Sequence, residues 1–253
     1  MSDPKPLSEL IALMERVFQK AAELDQTPEG QAHRATYFAG ETRRRQQQLI
    51  TAAEERGIPC EASIRNVLLQ EQPFPTQAMT AVQRALQWRL DQPTAAGSRQ
   101  PVCIVLGGPP GNGKTTALSW AVARHDRPAT YVTSAVIAST LRNGWSENEE
   151  RWRRWGSVDL LAVDELGLED GSEGAARVGA LIAQRNDHGR ATFCAGNLDA
   201  PTFIARYGNT RLNSRLRYGQ SRNGDANGLP WWTDLSDCDL RNPANRSAFM
   251  EQP

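Results

Sequence analysis

The spacing of apolar positions changes near residue 100, and the change divides the chain in two. Before it, Leu7, Leu10, Ile11, Met14, Val17, Phe18 and Ala21 recur at i, i+3, i+4 and i+7 and make one stripe. That spacing predicts an amphipathic helix of about four turns. A second, more polar helix is expected from about His33 to Arg56, closed by Gly57 ahead of Pro59. Thr76 is placed to cap a third, running through Leu90 with Met79, Val82, Leu86 and Leu90 on one face. The stretch Gln92-Pro93-Thr94-Ala95-Ala96-Gly97-Ser98 then reads as a linker.

From Gln100 onward short apolar runs alternate with helical segments. Strands are expected at 102–106, 130–133, 158–163 and 191–195, with a weaker fifth after Gly219, the pattern of a parallel sheet covered by helices on both faces. The expected organisation is an N-terminal helical partner-binding domain over 1–95 and an α/β core over 96–253. Gly219 to Gly228 is a loop rich in Gly, Asn and Ser.

Composition narrows the function classes a little. With 39% hydrophobic and 23% charged residues among 253, the chain has the make-up of a globular protein with a substantial core. Lys plus Arg equals Asp plus Glu at 29 each, so any nucleic-acid contact must come from a local patch rather than from net charge. Cys60, Cys103, Cys194 and Cys238 stand far apart, without metal-ligand spacing, and read as reduced thiols. The opening Met1-Ser2-Asp3-Pro4-Lys5-Pro6 lacks the basic-then-apolar order of a signal peptide, and no apolar run approaches the roughly 20 residues that span a bilayer. A cytoplasmic protein without membrane contact is expected.

The chemistry is concentrated after the first strand. Gly108-Pro109-Pro110-Gly111-Asn112-Gly113-Lys114-Thr115 follows the apolar run Val102–Leu106 and precedes a helix-compatible stretch that starts at Thr116. This is the setting of a phosphate-binding loop. Its glycines let backbone N–H groups turn inward around phosphates, Lys114 can reach the β and γ phosphates, and the Thr115 hydroxyl can ligate Mg²⁺. The residues from Gly108 to Thr116 are therefore the expected ATP contacts. The third strand, Val158 to Val163, delivers Asp164-Glu165 at its carboxyl end, where an open α/β sheet holds its ligand. An Asp there can hold the Mg²⁺ shell and a Glu just beyond can deprotonate the attacking water. The fourth strand ends at Gly196-Asn197, which puts an amide within reach of a water and a phosphate oxygen. An Arg-rich stretch follows, Arg206 to Tyr218, with no acidic residue between Asp199 and Asp225. Its guanidiniums are expected to meet phosphate, a neighbouring subunit or water, and Arg211 and Arg215 are spaced to share one helix face.

As a set, the phosphate loop, Leu160-Leu161-Ala162-Val163-Asp164-Glu165-Leu166-Gly167, Asn197 and Arg211-Leu212-Asn213-Ser214-Arg215-Leu216 resemble the bacterial helicase loaders of the DnaC/DnaI type. These are AAA+ ATPases, close to the IstB transposition ATPases. The likeness covers roughly Pro101 to Arg241. It implies a P-loop NTPase core in which Lys114, Thr115, Asp164 and Glu165 form the hydrolytic centre and Asn197 is sensor 1. Arg215 would be the arginine finger, with Arg211 as the alternative, and Arg241 the sensor 2 arginine at the nucleotide. Twelve residues follow Arg241 in this sequence, so no separate helical lid is expected, as in the loader and IstB branch. The implied role is Mg-dependent ATP hydrolysis in a head-to-tail assembly that loads a replicative DNA helicase onto single-stranded DNA. The competing readings are a transposition helper that assembles on duplex DNA with a transposase, and an ATP-binding scaffold with little hydrolysis. An intact Glu165 argues against the scaffold, which needs no base.

Three further clusters stand out, and the first two leave alternatives open. Arg43-Arg44-Arg45 in the second helix can meet phosphate or an acidic partner, or be a solvated face. Arg151-Trp152-Arg153-Arg154-Trp155 interleaves cations with stacking surfaces, as single-strand binders do, yet its two tryptophans at i and i+3 can equally anchor a helix to the sheet. Trp231-Trp232 has no cation beside it and reads as packing.

Overall fold

The computed structural model describes residues 26–70, 75–91, 101–140, 145–207, 212 and 229–235. The expected helix at 7–21, the linker, Arg211, Arg215, the loop at 219–228 and Arg241 lie outside these residues. Four helical segments and a strand lead into the core: α1 (Pro28–Glu55), α2 (Ala62–Leu68), α3 (Gln77–Asp91), β1 (Cys103–Gly107) and α4 (Lys114–Arg124). Then come β2 (Ala129–Thr133), α5 (Ser134–Thr140), α6 (Trp145–Ser157), β3 (Leu160–Leu166) and α7 (Gly171–Asp187). The described chain closes with β4 (Ala191–Gly196), α8 (Ala200–Tyr207) and β5 (Trp232–Asp234). Among the described residues no helix is long and apolar enough to cross a membrane.

The five strands form one parallel sheet in the order β2-β3-β4-β1-β5. Every residue of β1 and β4 is buried, which is why those strands read as unbroken apolar runs instead of alternating ones. The four main strands fall within three residues of the sequence expectation, and the fifth is the short edge strand at 232–234. At the opposite edge, the Tyr131 N–H of β2 is taken by the Arg56 carbonyl at 2.8 Å, so the turn after α1 satisfies a donor at the middle of that edge strand.

The chain divides into two compact units, Met1–Gln48 and Leu49–Pro253. This differs from a division at residue 95, and the reason lies in the apolar faces of α2 and α3. Ile58, Ile64, Leu68, Met79, Val82 and Ala85 are buried in the same cluster as Ile104, Leu106, Leu118 and Val122 of β1 and α4. Backbone bonds reinforce the apolar contact. Arg56 donates to the carbonyls of Val122, Ala123 and His125 at the end of α4, while Arg124 donates to Leu68 and Gln70 at the end of α2. Both arginines satisfy carbonyls that a helix terminus leaves without partners. Thr76 caps α3 as expected, its Oγ1 accepting the Met79 N–H at 3.0 Å. In the first unit, the α1 residues Arg43, Arg44 and Arg45 are exposed, and Arg45 pairs with Glu41 at 3.4 Å.

A buried ionic node sits at the opposite end of the sheet from the phosphate loop. Arg89 of α3 donates to both Asp159 oxygens at 2.8 and 2.9 Å, and His125 Nε2 donates to Oδ2 at 2.7 Å. Burial alone would push the Asp159 carboxyl up, but the hydrogen bonds from His125 and Arg89 and the Arg89 charge outweigh it and hold the group well below the usual carboxylate range. A depressed folded pKa contributes stability that is present above the unfolded value near 4 and lost as pH falls through the folded one. Asp159→Asn is therefore expected to cost about 3 kcal/mol at neutral pH. Urea melts of wild type and variant at pH 7 and pH 3 should show that gap narrowing with acid. An equal gap at both pH values would mean the node contributes no charge-dependent stability.

Candidate active site

The loop that leaves β1 owes its shape to glycine. Gly108 has φ +128°, and a Cβ there would stand 2.7 Å from the Leu235 carbonyl oxygen, a backbone atom that cannot step aside. Gly113, at φ +76°, is the left-handed residue from which α4 starts. Between them, Asn112 is buried and its Nδ2 donates to the Leu235 carbonyl at 3.2 Å, while Leu235 N–H donates to Gly107 at 2.9 Å. The end of β5 thus braces the loop. Lys114, only 7% exposed, donates from Nζ to the carbonyls of Gly108 and Pro109 at 2.8 and 2.6 Å, which holds its ammonium across the loop it belongs to.

Consecutive residues in a regular strand point to opposite faces. Asp164 and Glu165 nevertheless both line the same cleft. The cause is a bulge in β3: Val163 pairs with Cys194 and Leu166 with Gly196, so three steps on β3 oppose two on β4. Glu165 has φ +57°, the one non-glycine in the left-handed region among the described residues. Such a conformation costs about 1–3 kcal/mol and persists only where neighbours enforce it. Asp164 ends up 3% exposed, with Oδ1 accepting the Glu165 N–H at 2.7 Å and Oδ2 accepting the Tyr131 hydroxyl at 2.7 Å. Glu165 is exposed to the cleft.

The sheet order completes the arrangement. Because β4 lies between β1 and β3, Gly196 is paired on one side with Gly107 and on the other with Leu166. Asn197 follows directly and lines the cleft with Lys114, Thr115, Thr116, Asp164 and Glu165. The cleft has a volume of about 1330 Å³, and its second wall comes from α2 and the start of α3, where Ile64, Val67 and Met79 face it. Sequence reasoning missed that wall. No motif marks it, and α2 has seven residues, too few to display a helical period. The hydroxyl of Thr115 and the carboxylate of Asp164 offer oxygen donors of the class Mg²⁺ takes, usually one or two protein ligands with phosphate oxygens and water.

The loop beyond Glu165 is tied down from behind. Glu169, 2% exposed, accepts from the Gly167 N–H at 3.0 Å, from Arg206 Nε at 2.6 Å and from the Tyr207 hydroxyl. Burial would raise its carboxyl, but the Tyr207 and Arg206 hydrogen bonds prevail and lower it. Arg206 thus corrects the expectation that the Arg-rich stretch must look to phosphate, another subunit or water. Its partner lies 37 residues upstream in sequence, where a search for local acids cannot find it. Phe203, Trp231 and Trp232 stack beneath, with centroids 5.7–5.9 Å apart, so the tryptophan pair is packing. Trp155 is buried and Trp152 packs against the same apolar cluster, which makes both anchors of α6.

No family model matches the chain, and no curated protein does. Solved structures do. DnaI is similar over 70% of this chain and 92% of its own, at 18% identity and a TM-score of 0.51. The DnaC helicase loader is similar over 70% of this chain and 100% of its own, at 13% identity and a TM-score of 0.50. The chain has an AAA+ fold. A DNA replication initiation factor also matches, at 17% identity and a TM-score of 0.47, over 68% of this chain and 49% of that one. The chain thus spans about half the length of that protein. The place of β4 between β3 and β1 is what brings Asn197 between the acidic pair and the phosphate loop.

Proposed function

We propose that this chain binds and hydrolyses ATP with Mg²⁺ in the cleft, and uses the cycle to load a replicative DNA helicase onto single-stranded DNA. The observation that carries the reading is the convergence of Lys114, Thr115, Asp164, Glu165 and Asn197 on one cleft within a fold shared with DnaI and the DnaC helicase loader. In this reading Lys114 and the loop amides bind the phosphates, and Thr115 and Asp164 hold the metal. Bound Mg²⁺ supplies charge neutralisation on the phosphoryl group. Glu165 takes the proton of the attacking water, which Asn197 orients, and Ile64, Val67 and Met79 give the base an apolar wall. Arg215 reaches the next subunit's γ-phosphate in a head-to-tail assembly. Arg241 is assigned to the nucleotide as well. Leu235 already braces the phosphate loop, and six residues extend to roughly 20 Å.

The residues before Leu49 are assigned to partner binding, and the test follows from where the compact units divide. A truncation beginning at Leu49 keeps α2 and α3 and should bind ATP and single-stranded DNA while losing the helicase. One beginning at Ala95 would remove the apolar face that buries Ile104, Leu118 and Val122, and should not fold. Competition between single and double strands with ATP present, at several salt concentrations, separates DNA preference from bulk phosphate attraction. Duplex preference at every salt, together with no affinity for the host's replicative helicase, would replace the loader with a transposition helper.

A further inference from the structure

We propose that Tyr131 and Ser134 are positioning residues for hydrolysis, Tyr131 orienting the Asp164 carboxylate and Ser134 fixing the backbone turn that presents Glu165. The inference rests on the nucleotide-hydrolysis reading above and assigns two residues that no phosphate-loop or acidic-pair motif contains.

The geometry is specific. A carboxylate held by one hydrogen bond can still rotate about its last side-chain bond; one held at both oxygens from different directions cannot. Asp164 is held at both, by the Tyr131 hydroxyl on Oδ2 and by the Glu165 amide on Oδ1. Tyr131 is itself fixed. It is buried, stands in register with Ala162 of β3, and its N–H is taken by the Arg56 carbonyl. An ordinary phenol is protonated at neutral pH, so Tyr131 is the donor in this bond and the carboxylate the acceptor. Ser134 acts on the other acid. Its Oγ, at the start of α5, donates to the Glu165 carbonyl at 2.7 Å. With the Glu165 amide on Asp164 and its carbonyl on Ser134, both peptide groups around the left-handed residue are pinned. That holds the bulge open and keeps the Glu165 side chain in the cleft. Neither hydroxyl lines the cleft, so each acts through an acid and not on the nucleotide.

The test uses full-length wild type, Tyr131→Phe, Ser134→Ala and Ser134→Thr. Binding of a fluorescent ATP analogue in EDTA is expected to stay within about twofold of wild type in all, since the phosphate loop is untouched. Mn²⁺ titrated by electron paramagnetic resonance onto the complex with a non-hydrolysable ATP analogue should bind about tenfold more weakly to Tyr131→Phe, the usual loss when a ligand's supporting partner is removed. Ser134→Ala should lose about tenfold in kcat with KM unchanged, and Ser134→Thr, which keeps a hydroxyl, should recover most of it. Wild-type Mn²⁺ affinity in Tyr131→Phe overturns its role. Wild-type kcat in Ser134→Ala, or no recovery in Ser134→Thr, overturns that of Ser134. Weakened EDTA binding in either variant overturns both, because the effect would then lie in the loop. A wild type that binds no nucleotide would instead remove the hydrolysis reading, and the inference with it. If the wild type binds but does not turn over, the Ser134 role is overturned and the Mn²⁺ titration still decides Tyr131.

Discussion

Lys114→Ala protein is expected to lose ATP binding, while Glu165→Gln binds ATP at near wild-type affinity and does not turn it over. Among the described residues that line the cleft, Lys114 is the one cation, against Glu61, Asp164 and Glu165. A triphosphate entering that cleft meets three acids, so its charge must be offset by the loop amides, the metal and this ammonium. A charge-assisted hydrogen bond contributes about 1.5–3 kcal/mol, and Lys114 is placed to give more than one, so its removal should weaken binding at least about a hundredfold. Glu165→Gln changes the sign of the argument. It takes a negative charge out of the cleft at constant shape, so affinity should hold or rise, while loss of a general base lowers turnover by about 10²–10⁴-fold. Fluorescent nucleotide titration and phosphate release on the two proteins decide it. Equal loss of binding in both would mean that Glu165 supports the loop rather than the chemistry.

The parts of this site that could be read from the sequence are those whose chemistry is local. Gly108 to Thr115 is a single continuous loop, and Asp164-Glu165 ends an apolar run, so both announce themselves by residue type and spacing. Asn197 could be placed because each strand of a parallel sheet delivers its end to the same side. What escaped depends on contacts distant in sequence. The apolar face of α3 was visible at Met79, Val82 and Leu86, but a stripe does not say what it packs against. Here it packs on α4, which moves the division between compact units to Leu49. The same limit hid the Arg206–Glu169 pair and the bulge at Glu165, which needs β4 as a reference before a strand can be seen to have a residue too many.

Arg185→Met is expected to destabilise the protein by about 3–5 kcal/mol, a large part of the roughly 5–15 kcal/mol that holds a domain folded. Arg185 is fully buried in α7. Its Nε donates to Thr192 Oγ1 at 2.9 Å, and its terminal nitrogens donate to the carbonyls of Trp155, Val158 and Ala191. Those carbonyls lie at the end of α6, ahead of β3 and at the start of β4, so one guanidinium gathers the elements whose far ends carry Asp164 and Asn197. Burial, with the nearby Arg190 and Arg89 charges, pushes the group down to about 9, and it stays protonated at neutral pH. A base whose folded pKa lies below its unfolded value gains nothing electrostatically from folding, so its contribution must come from satisfying buried acceptors. Met fills similar volume and removes a buried charge, which favours the variant. It also leaves three carbonyls and a hydroxyl without their donor, at about 1–3 kcal/mol each, and this outweighs the gain. Urea denaturation measures the difference. Arg185→Lys should recover only part of it, because an ammonium is a compact donor that cannot span the same four acceptors. Stability within 1 kcal/mol of wild type for Arg185→Met, at an unchanged dependence on urea, would mean that water or shifted backbone satisfies those groups and that the guanidinium is not the element holding this end of the sheet together.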